Sequence, residues 1–279
     1  MTATRPTIAD KRRAFHLLHT SGCFVIPNPW DVGSALYLQH AGFKALASTS
    51  SGFAWSRGHA DNAVTRDLVL AHLQDIVAAT DVPVNADFEN GFGRNAAEVA
   101  QSVTLAVRTG VAGLSIEDST VDAATSLFDV DVAVERVRAA RRAIDAEGGD
   151  TLLVGRAECF LVGRPDLAET IARLKAYANA GADCLYAPGL RSREAIAAVV
   201  AAVAPKPFNL LIGTAGVMSL QDAAALGVRR VSVGGALARS AWGGFMRAAK
   251  RIAEDGSFDG FSEGASGQAL NALFAGRPA

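Results

Sequence analysis

The sequence predicts an α/β protein of the (β/α)8-barrel class, on three observations. A short apolar run followed by a helical stretch rich in Ala and charge recurs eight times. Several helical stretches end in Gly directly ahead of the next apolar run, the helix-stop chemistry of αβ turns. The alternative, an open doubly wound sheet, would carry a Gly-rich dinucleotide fingerprint after its first strand, where Pro27-Asn28-Pro29-Trp30-Asp31 stands instead. The 279 residues suit a single barrel, a unit of roughly 250 residues, and no gap is long enough or low enough in complexity to mark a linker.

In chain order the expected strands are Cys23–Pro27, Lys44–Ser48, Val82–Ala86, Ala112–Ile116, Thr151–Gly155, Asp183–Ala187, Pro207–Leu211 and Arg229–Val233. Helices are expected near 31–41, 65–80, 95–109, 130–147, 165–181, 192–204, 218–227 and 236–255, with Asp31 and Ser219 as N-caps. Gly42, Gly110, Gly181 and Gly227 supply the stops. The barrel then spans 1–255. Residues 256–279 form a C-terminal extension, Gly- and Ser-rich before a helix at Gln268–Phe274. That helix is too apolar to stand free in water, so it is expected to pack on its own or a neighbouring barrel.

Composition narrows the function. Half of the residues are hydrophobic and the net charge is −1, which supplies a large core and no field to draw nucleic acid or anionic lipid. No apolar stretch reaches the length of a membrane span, and Met1–Arg13 is polar and charged, unlike a signal peptide. Cys23, Cys159 and Cys184 match neither a zinc site nor a redox pair, which suits a reducing cytoplasm. His16 and His19 share a helical face without carboxylate partners and are expected at the surface.

In a (β/α)8 barrel the chemistry sits at the C-terminal ends of the strands. The polar residues there are strongly acidic: Asp87 and Glu89 after the third apolar run, Glu117 and Asp118 after the fourth, Glu158 beside Arg156 after the fifth. Carboxylates converging on one mouth repel unless a cation neutralises them, and oxygen-only ligands suit Mg²⁺. Asp87, Glu89 and Glu117 are therefore candidate metal ligands, against the plainer reading of caps or Arg partners. Ser50-Ser51-Gly52 offers backbone N–H groups to a carboxylate or enolate oxygen, or is an ordinary turn. Arg156 offers a planar fork to a carboxylate, or pairs with Glu158 or Glu117. Asn209 opens the seventh strand end. Gly234-Gly235 stands where many barrels bind phosphate, although tight packing also calls for glycine there.

These residues resemble the isocitrate lyase/phosphoenolpyruvate mutase superfamily, from Asn28 to about Ser240. Asn28-Pro29-Trp30-Asp31 with Ala41-Gly42-Phe43 is similar to its opening segment, and Thr49-Ser50-Ser51-Gly52-Phe53 to the turn that holds substrate. Asn85-Ala86-Asp87 with Gly91-Phe92-Gly93 resembles its acidic metal motif, with Asn85 at the first acid and Glu89 as the restoring charge. Ile116-Glu117-Asp118, Gly155-Arg156-Ala157-Glu158 and Gly181-Ala182-Asp183 match further motifs, and Asp61 falls on an acidic position near metal and substrate.

The resemblance implies Mg²⁺ or Mn²⁺ at Asp87, Glu89, Glu117 and Asn85. It implies substrate contacts from Ser51, Gly52, Phe53, Arg156 and Asn209, catalytic roles for Arg156, Ser51, Gly52, Asp61 and Glu117, and a homo-oligomer, dimer or tetramer, with C-terminal helices exchanged. The chain resembles a 2-methylisocitrate lyase-like or oxaloacetate decarboxylase-like member that lacks the loop cysteine. Unlike the cleaving lyases, its loop from Ser119 to Asp131 contains no Lys, Cys or His, and Pro188-Gly189 stands where other members place an acid, His or Ser. A metal core without the usual acid points to a carbon–carbon lyase acting through an enolate on a small 2-oxo or 2-hydroxy di- or tricarboxylic acid. Phosphonopyruvate-type P–C chemistry and a non-catalytic 2-oxo-acid binder are the alternatives.

Overall fold

The eight apolar runs form parallel strands in the computed structural model, which describes residues 5–120 and 125–275. They are β1 Phe24–Ile26, β2 Leu46–Ala47, β3 Val84–Asp87, β4 Gly113–Glu117, β5 Leu152–Arg156, β6 Cys184–Tyr186, β7 Phe208–Leu211 and β8 Arg230–Ser232. Each strand from β2 to β7 pairs with the next, and β8 pairs with β1. Between β1 and β2, Ala47 N–H donates to Pro27 O at 3.0 Å. The result is the (β/α)8, or TIM, barrel that the sequence predicts. β3, β4 and β5 each run one residue beyond expectation, taking in Asp87, Glu117 and Arg156. Glu117 and Arg156 stand opposite each other in the ladder, so opposite charges carry the pairing into the polar mouth.

The expected helices are α2 Val32–His40, α4 Arg66–Ala79, α5 Ala96–Arg108, α6 Val130–Ala146, α7 Leu167–Asn179, α8 Arg193–Val203, α9 Leu220–Ala225, α10 Ala236–Asp255 and α11 Gly267–Phe274. α5 shows why such segments are helical: Asn95 caps the Glu98 N–H, and Val99, Val103, Ala106 and Val107 bury one stripe at helical spacing. Asp31 and Ser219 cap α2 and α9 as expected.

Among the described residues, two α-helices were not anticipated. α1 Ile8–Leu18 lies across the N-terminal end of the barrel, where fully buried Phe15 joins Ile26, Ala112, Leu152 and Val154 in an inner core. Its charged residues are fasteners: Lys11 donates to Val77 O and Thr80 O, and Arg12 to Val107 O and Val111 O. Carbonyls at the ends of α4 and α5 are thereby satisfied. His16 is exposed, but the expectation of a surface position fails for His19. Its ring packs edge-on against Phe15 of the same helix and Phe24 of β1, at 4.6 and 5.2 Å between centroids, because the face of α1 that carries Phe15 plugs the barrel. The other helix, α3 Ser50–Ser56, replaces the expected turn after β2.

Beyond α10 the chain makes a 3-10 turn, Asp259–Glu263, against that helix, and α11 brings the Phe274 ring to Gly33 of α2. Phe245, Met246, Phe258 and Phe261 are all at least 60% exposed, an apolar face on α10 and the segment after it. No helix among the described residues is long and apolar enough to cross a membrane.

Candidate active site

Successive strand residues face opposite sides of the sheet, and this alternation sorts the acidic mouth. Asp118 faces the helical layer, where it accepts from Arg173 at 3.1 Å, from Tyr177 of the same helix and from Glu158 N–H. Glu117 and Arg156, one residue back or opposite, face the axis. Arg156 contacts three carboxylates from three strand ends: Asp87 at 3.1 Å, Glu117 at 2.9 Å and Glu158. Its guanidinium also lies 5.0 Å from the centre of the Tyr186 ring.

Glu117, Arg156, Tyr186, Asn209 and Arg230 are consecutive register partners across β4 to β8. The polar row continues inward: Asn209 accepts from Arg230 at 2.7 Å and donates to Ser232 at 3.0 Å. Asn85 belongs to this floor rather than to the carboxylates, with its Oδ1 3.4 Å from Arg230 and its Nδ2 on Ala86 O.

α3 is set beside the carboxylates by Asp87, whose Oδ2 accepts the Ser50 N–H at 3.0 Å while its own N–H donates to Ser48 Oγ. Gly52 N–H turns to Thr49 Oγ1, so Ser51 N–H is the first-turn donor for which no acceptor stands among the described residues. Gly52 is also required sterically, since a Cβ there would fall 2.7 Å from Thr49 Cγ2 and 3.0 Å from Trp30 Cβ. Phe53 points away from the mouth into the core, where it stacks on His72 at 3.9 Å.

Asn28 holds the two ends of the barrel seam together. Its Oδ1 accepts Val233 and Gly234 N–H, both at 2.9 Å, and its Nδ2 donates to Ser48 O at 2.8 Å. Gly235 packs so tightly on Ser51 and Trp55 that a Cβ would lie 2.7 Å from Ser51 Oγ. The Gly234-Gly235 pair therefore serves the packing role, with the Gly234 amide already occupied.

A cavity of about 270 Å³ opens over these groups. Of the residues singled out in the sequence, Ser51, Asp61, Asn85, Asp87, Arg156 and Asn209 line it, whereas Gly52, Phe53, Glu89 and Glu117 stand behind its wall. Sequence reasoning missed Tyr186, Arg230, Ser232 and Arg239, which line it too. The inward position at the C-terminal ends of β6 and β8 was the available signal for Tyr186 and Ser232.

The electrostatics are those of excess negative charge. Burial, then Asp87 and Glu117, push Glu89 up to about 8, and burial pushes Glu158 up to about 8 against the pull of Arg156. Burial raises Glu117 as well, and desolvation followed by the Asp87 charge raises Asp61. Arg156 is held well above its ordinary value by Glu117 and Glu158, which outweigh its own burial cost.

Among the described residues no three His, Cys, Asp or Glu side chains converge at metal-binding range, because Asp87 and Glu117 both turn to Arg156. The donor set nonetheless fits a hard cation: it is all carboxylate oxygen, and buried Glu89 leaves Oε1 without any partner.

The phosphoenolpyruvate phosphomutase family model matches residues 15–253. The chain belongs to that family. This PEP mutase family member is 30% identical over 233 residues to an oxaloacetate decarboxylase of Paraburkholderia xenovorans, covering 80% of this chain and 74% of that one. It is 50% identical to a Burkholderia cenocepacia J2315 protein whose crystal structure carries only a provisional lyase/mutase label, with a TM-score of 0.93 over 96% of this chain and 97% of the other. Oxaloacetate acetylhydrolase in complex with its product oxalate is similar at 27% identity and a TM-score of 0.85, over 97% and 95% of the two chains. The protein is thus an enzyme of the isocitrate lyase/PEP mutase superfamily, whose members are lyases and mutases.

Proposed function

We propose that this enzyme is a Mg²⁺-dependent lyase that cleaves or decarboxylates a small 2-oxo or 2-hydroxy di- or tricarboxylic acid through an enolate, with oxaloacetate as the first substrate to test. The observation that carries the reading is Arg156, fixed by Asp87, Glu117 and Glu158 at the base of a cavity beside the unpaired Ser51 N–H. Mg²⁺ or Mn²⁺ would be held by Asp87, with Glu89 and Glu117 orienting its waters, and would supply electrophilic stabilisation of the substrate's 2-oxygen when bound.

The chain's own groups do the rest. Arg156 presents a guanidinium whose geometry is locked by three carboxylates, so it is preorganised to hold a substrate carboxylate and the charge that grows as the bond breaks. Ser51 N–H adds a donor with no competing acceptor. Tyr186, pushed up to about 12 by burial, keeps its proton through the neutral range and offers an O–H within the cavity. Asp61 at the rim is a carboxyl near Asp87 and Ser50 that can exchange a proton with the product side.

A homo-oligomer, dimer or tetramer, is supported by the exposed apolar face of α10 and the Phe258 and Phe261 segment. The 256–279 extension is the natural segment to be shared, and its last residues, 276–279, lie outside the described residues. Cytoplasmic operation is supported by three free cysteines.

The test is product analysis with oxaloacetate, 2-oxoglutarate, methylisocitrate and phosphonopyruvate, with and without Mg²⁺. Metal-dependent pyruvate from oxaloacetate supports the reading. Phosphate from phosphonopyruvate alone would favour P–C chemistry instead, and binding without product a non-catalytic role.

A further inference from the structure

An enolate must take a proton at carbon before it leaves as a 2-oxo acid, and the cavity lining among the described residues contains no His, Cys or Lys to give one. Its acids are Asp61, Asp87 and Tyr186. Asp87 is committed to the Ser50 N–H and to Arg156. Tyr186 ends β6 between its register partners Arg156 and Asn209, with its ring 5.0 Å from the Arg156 guanidinium.

Behind Tyr186 stands a chain of hydrogen bonds whose direction is fixed at its far end. Arg230 is only 3% exposed, and no carboxylate stands in ion-pair range of it among the described residues. A guanidinium can only donate, so the Asn209 atom 2.7 Å from its Nε is the carbonyl oxygen, and the Asn209 amide nitrogen must face the other way. That nitrogen donates to Ser232 Oγ at 3.0 Å. Ser232 is in turn the side-chain hydrogen-bond partner of the Tyr186 phenol. Having accepted from Asn209, the Ser232 hydroxyl gives its own proton to the phenol oxygen, which leaves the Tyr186 O–H for a ligand in the cavity. Every link points the same way, from a buried uncompensated cation toward the phenol, and aligned donors of this kind polarise one another.

We propose that Tyr186 is the acid that protonates the enolate carbon, and that Ser232 is its positioning residue, the last link of the chain that starts at Arg230. The inference deepens the proposed function and rests on its enolate. As the carbon–carbon bond breaks, its electron pair passes into the enolate. The enolate carbon then takes the Tyr186 proton, and the O–H electron pair stays on the phenol oxygen, where Ser232 O–H and the Arg156 guanidinium stabilise it. A water from the open mouth restores the proton and leaves as hydroxide.

Ketonisation of the enol of 2-oxobutyrate isolates this step from bond cleavage. The enol is released in heavy water from its phosphate ester by an added phosphatase, in Mg²⁺ buffer, and its loss is followed by ultraviolet absorbance. NMR after stereospecific reduction to 2-hydroxybutyrate reports which face of the carbon took deuterium, and spontaneous ketonisation serves both faces equally. Wild type is expected to accelerate the step and to deuterate one face. Tyr186→Phe keeps the ring against Arg156, and is expected to lower kcat by at least about 10²-fold and to lose the facial preference. Ser232→Ala is expected to lower kcat by about tenfold with KM within about threefold, which separates a weakened acid from a disturbed site. No acceleration by wild type, or one-faced deuteration that survives Tyr186→Phe, overturns the assignment. Loss of the preference in Asp61→Asn but not in Tyr186→Phe also overturns it, and gives the proton to the rim carboxyl. An unchanged kcat in Ser232→Ala overturns the chain. Wild type that ketonises the enol but releases neither pyruvate nor CO₂ from oxaloacetate contradicts the oxaloacetate reading and leaves Tyr186 as the acid.

Discussion

Arg156 on β5 reaches past β4 to Asp87 on β3, 3.1 Å away, while holding Glu117 of the intervening strand at 2.9 Å. One guanidinium thus ties three consecutive strand ends of the barrel mouth. Only a planar group with several N–H donors can do so, since an ammonium is a single point charge.

Arg156→Lys should therefore lower kcat/KM for the preferred acid by about 10²–10³-fold, because the lysine cannot hold the carboxylates and receive substrate together. Steady-state kinetics beside a thermal melt separates this from unfolding. A loss under threefold would make Arg156 a structural group alone.

Asn28 satisfies two backbone N–H groups of the β8 end and one carbonyl of the β2 end from a position only 5% exposed. Asn28→Ala is expected to cost about 2–4 kcal/mol, since it leaves these groups unpaired and buried. Asn28→Asp, which keeps the acceptor and loses the donor, should fall between. Urea unfolding measures both.

Gly52→Ala should displace α3, because the new methyl meets Thr49 and Trp30. A stability loss of about 1–3 kcal/mol is expected, with a rise in KM as the Ser51 N–H moves from its place. Unchanged KM in a destabilised variant would detach the α3 amide from substrate binding.

His72 supplies a pH signature. Burial holds it down to about 4 from 6.5, and its Nε2 has no partner beneath the Phe53 ring. The unfolded chain takes up a proton below about pH 6.5 that the folded chain refuses until about pH 4. This component of stability is complete above 6.5 and declines as the pH falls through that window, by roughly 2–3 kcal/mol. In His72→Phe the decline from pH 6.5 to 4.5 should be correspondingly shallower, as measured by urea unfolding at each pH. Parallel curves for the two proteins would show that His72 protonates without cost.

The barrel was legible because each strand is an apolar run stopped by polar residues, and most of the following helices carry a side-chain cap, as Asp31, Thr65, Asn95, Asp166, Ser192 and Ser219 show. The acidic mouth was legible for the same reason, since Asp87, Glu117 and Arg156 sit where those runs stop. α1 was hidden because Lys11 and Arg12 read as solvated charge, whereas their heads bond to carbonyls at the ends of α4 and α5. α3 was hidden because Ser50-Ser51-Gly52 has the composition of a turn, and its helical state depends on Thr49 and Asp87. Arg230 joins Asn209, which the sequence did single out, through inter-strand register, a tertiary property that the pattern of a single strand does not encode.

The central claim is that Asp87 and Arg156 belong to a cation-dependent lyase site. Pyruvate release from oxaloacetate by wild type and Asp87→Asn, followed by NMR across a Mg²⁺ titration, tests it most directly. The account predicts saturable, Mg²⁺-dependent pyruvate formation by wild type that falls by at least about 10²-fold in Asp87→Asn. Turnover unaffected by chelator and by the substitution would contradict it.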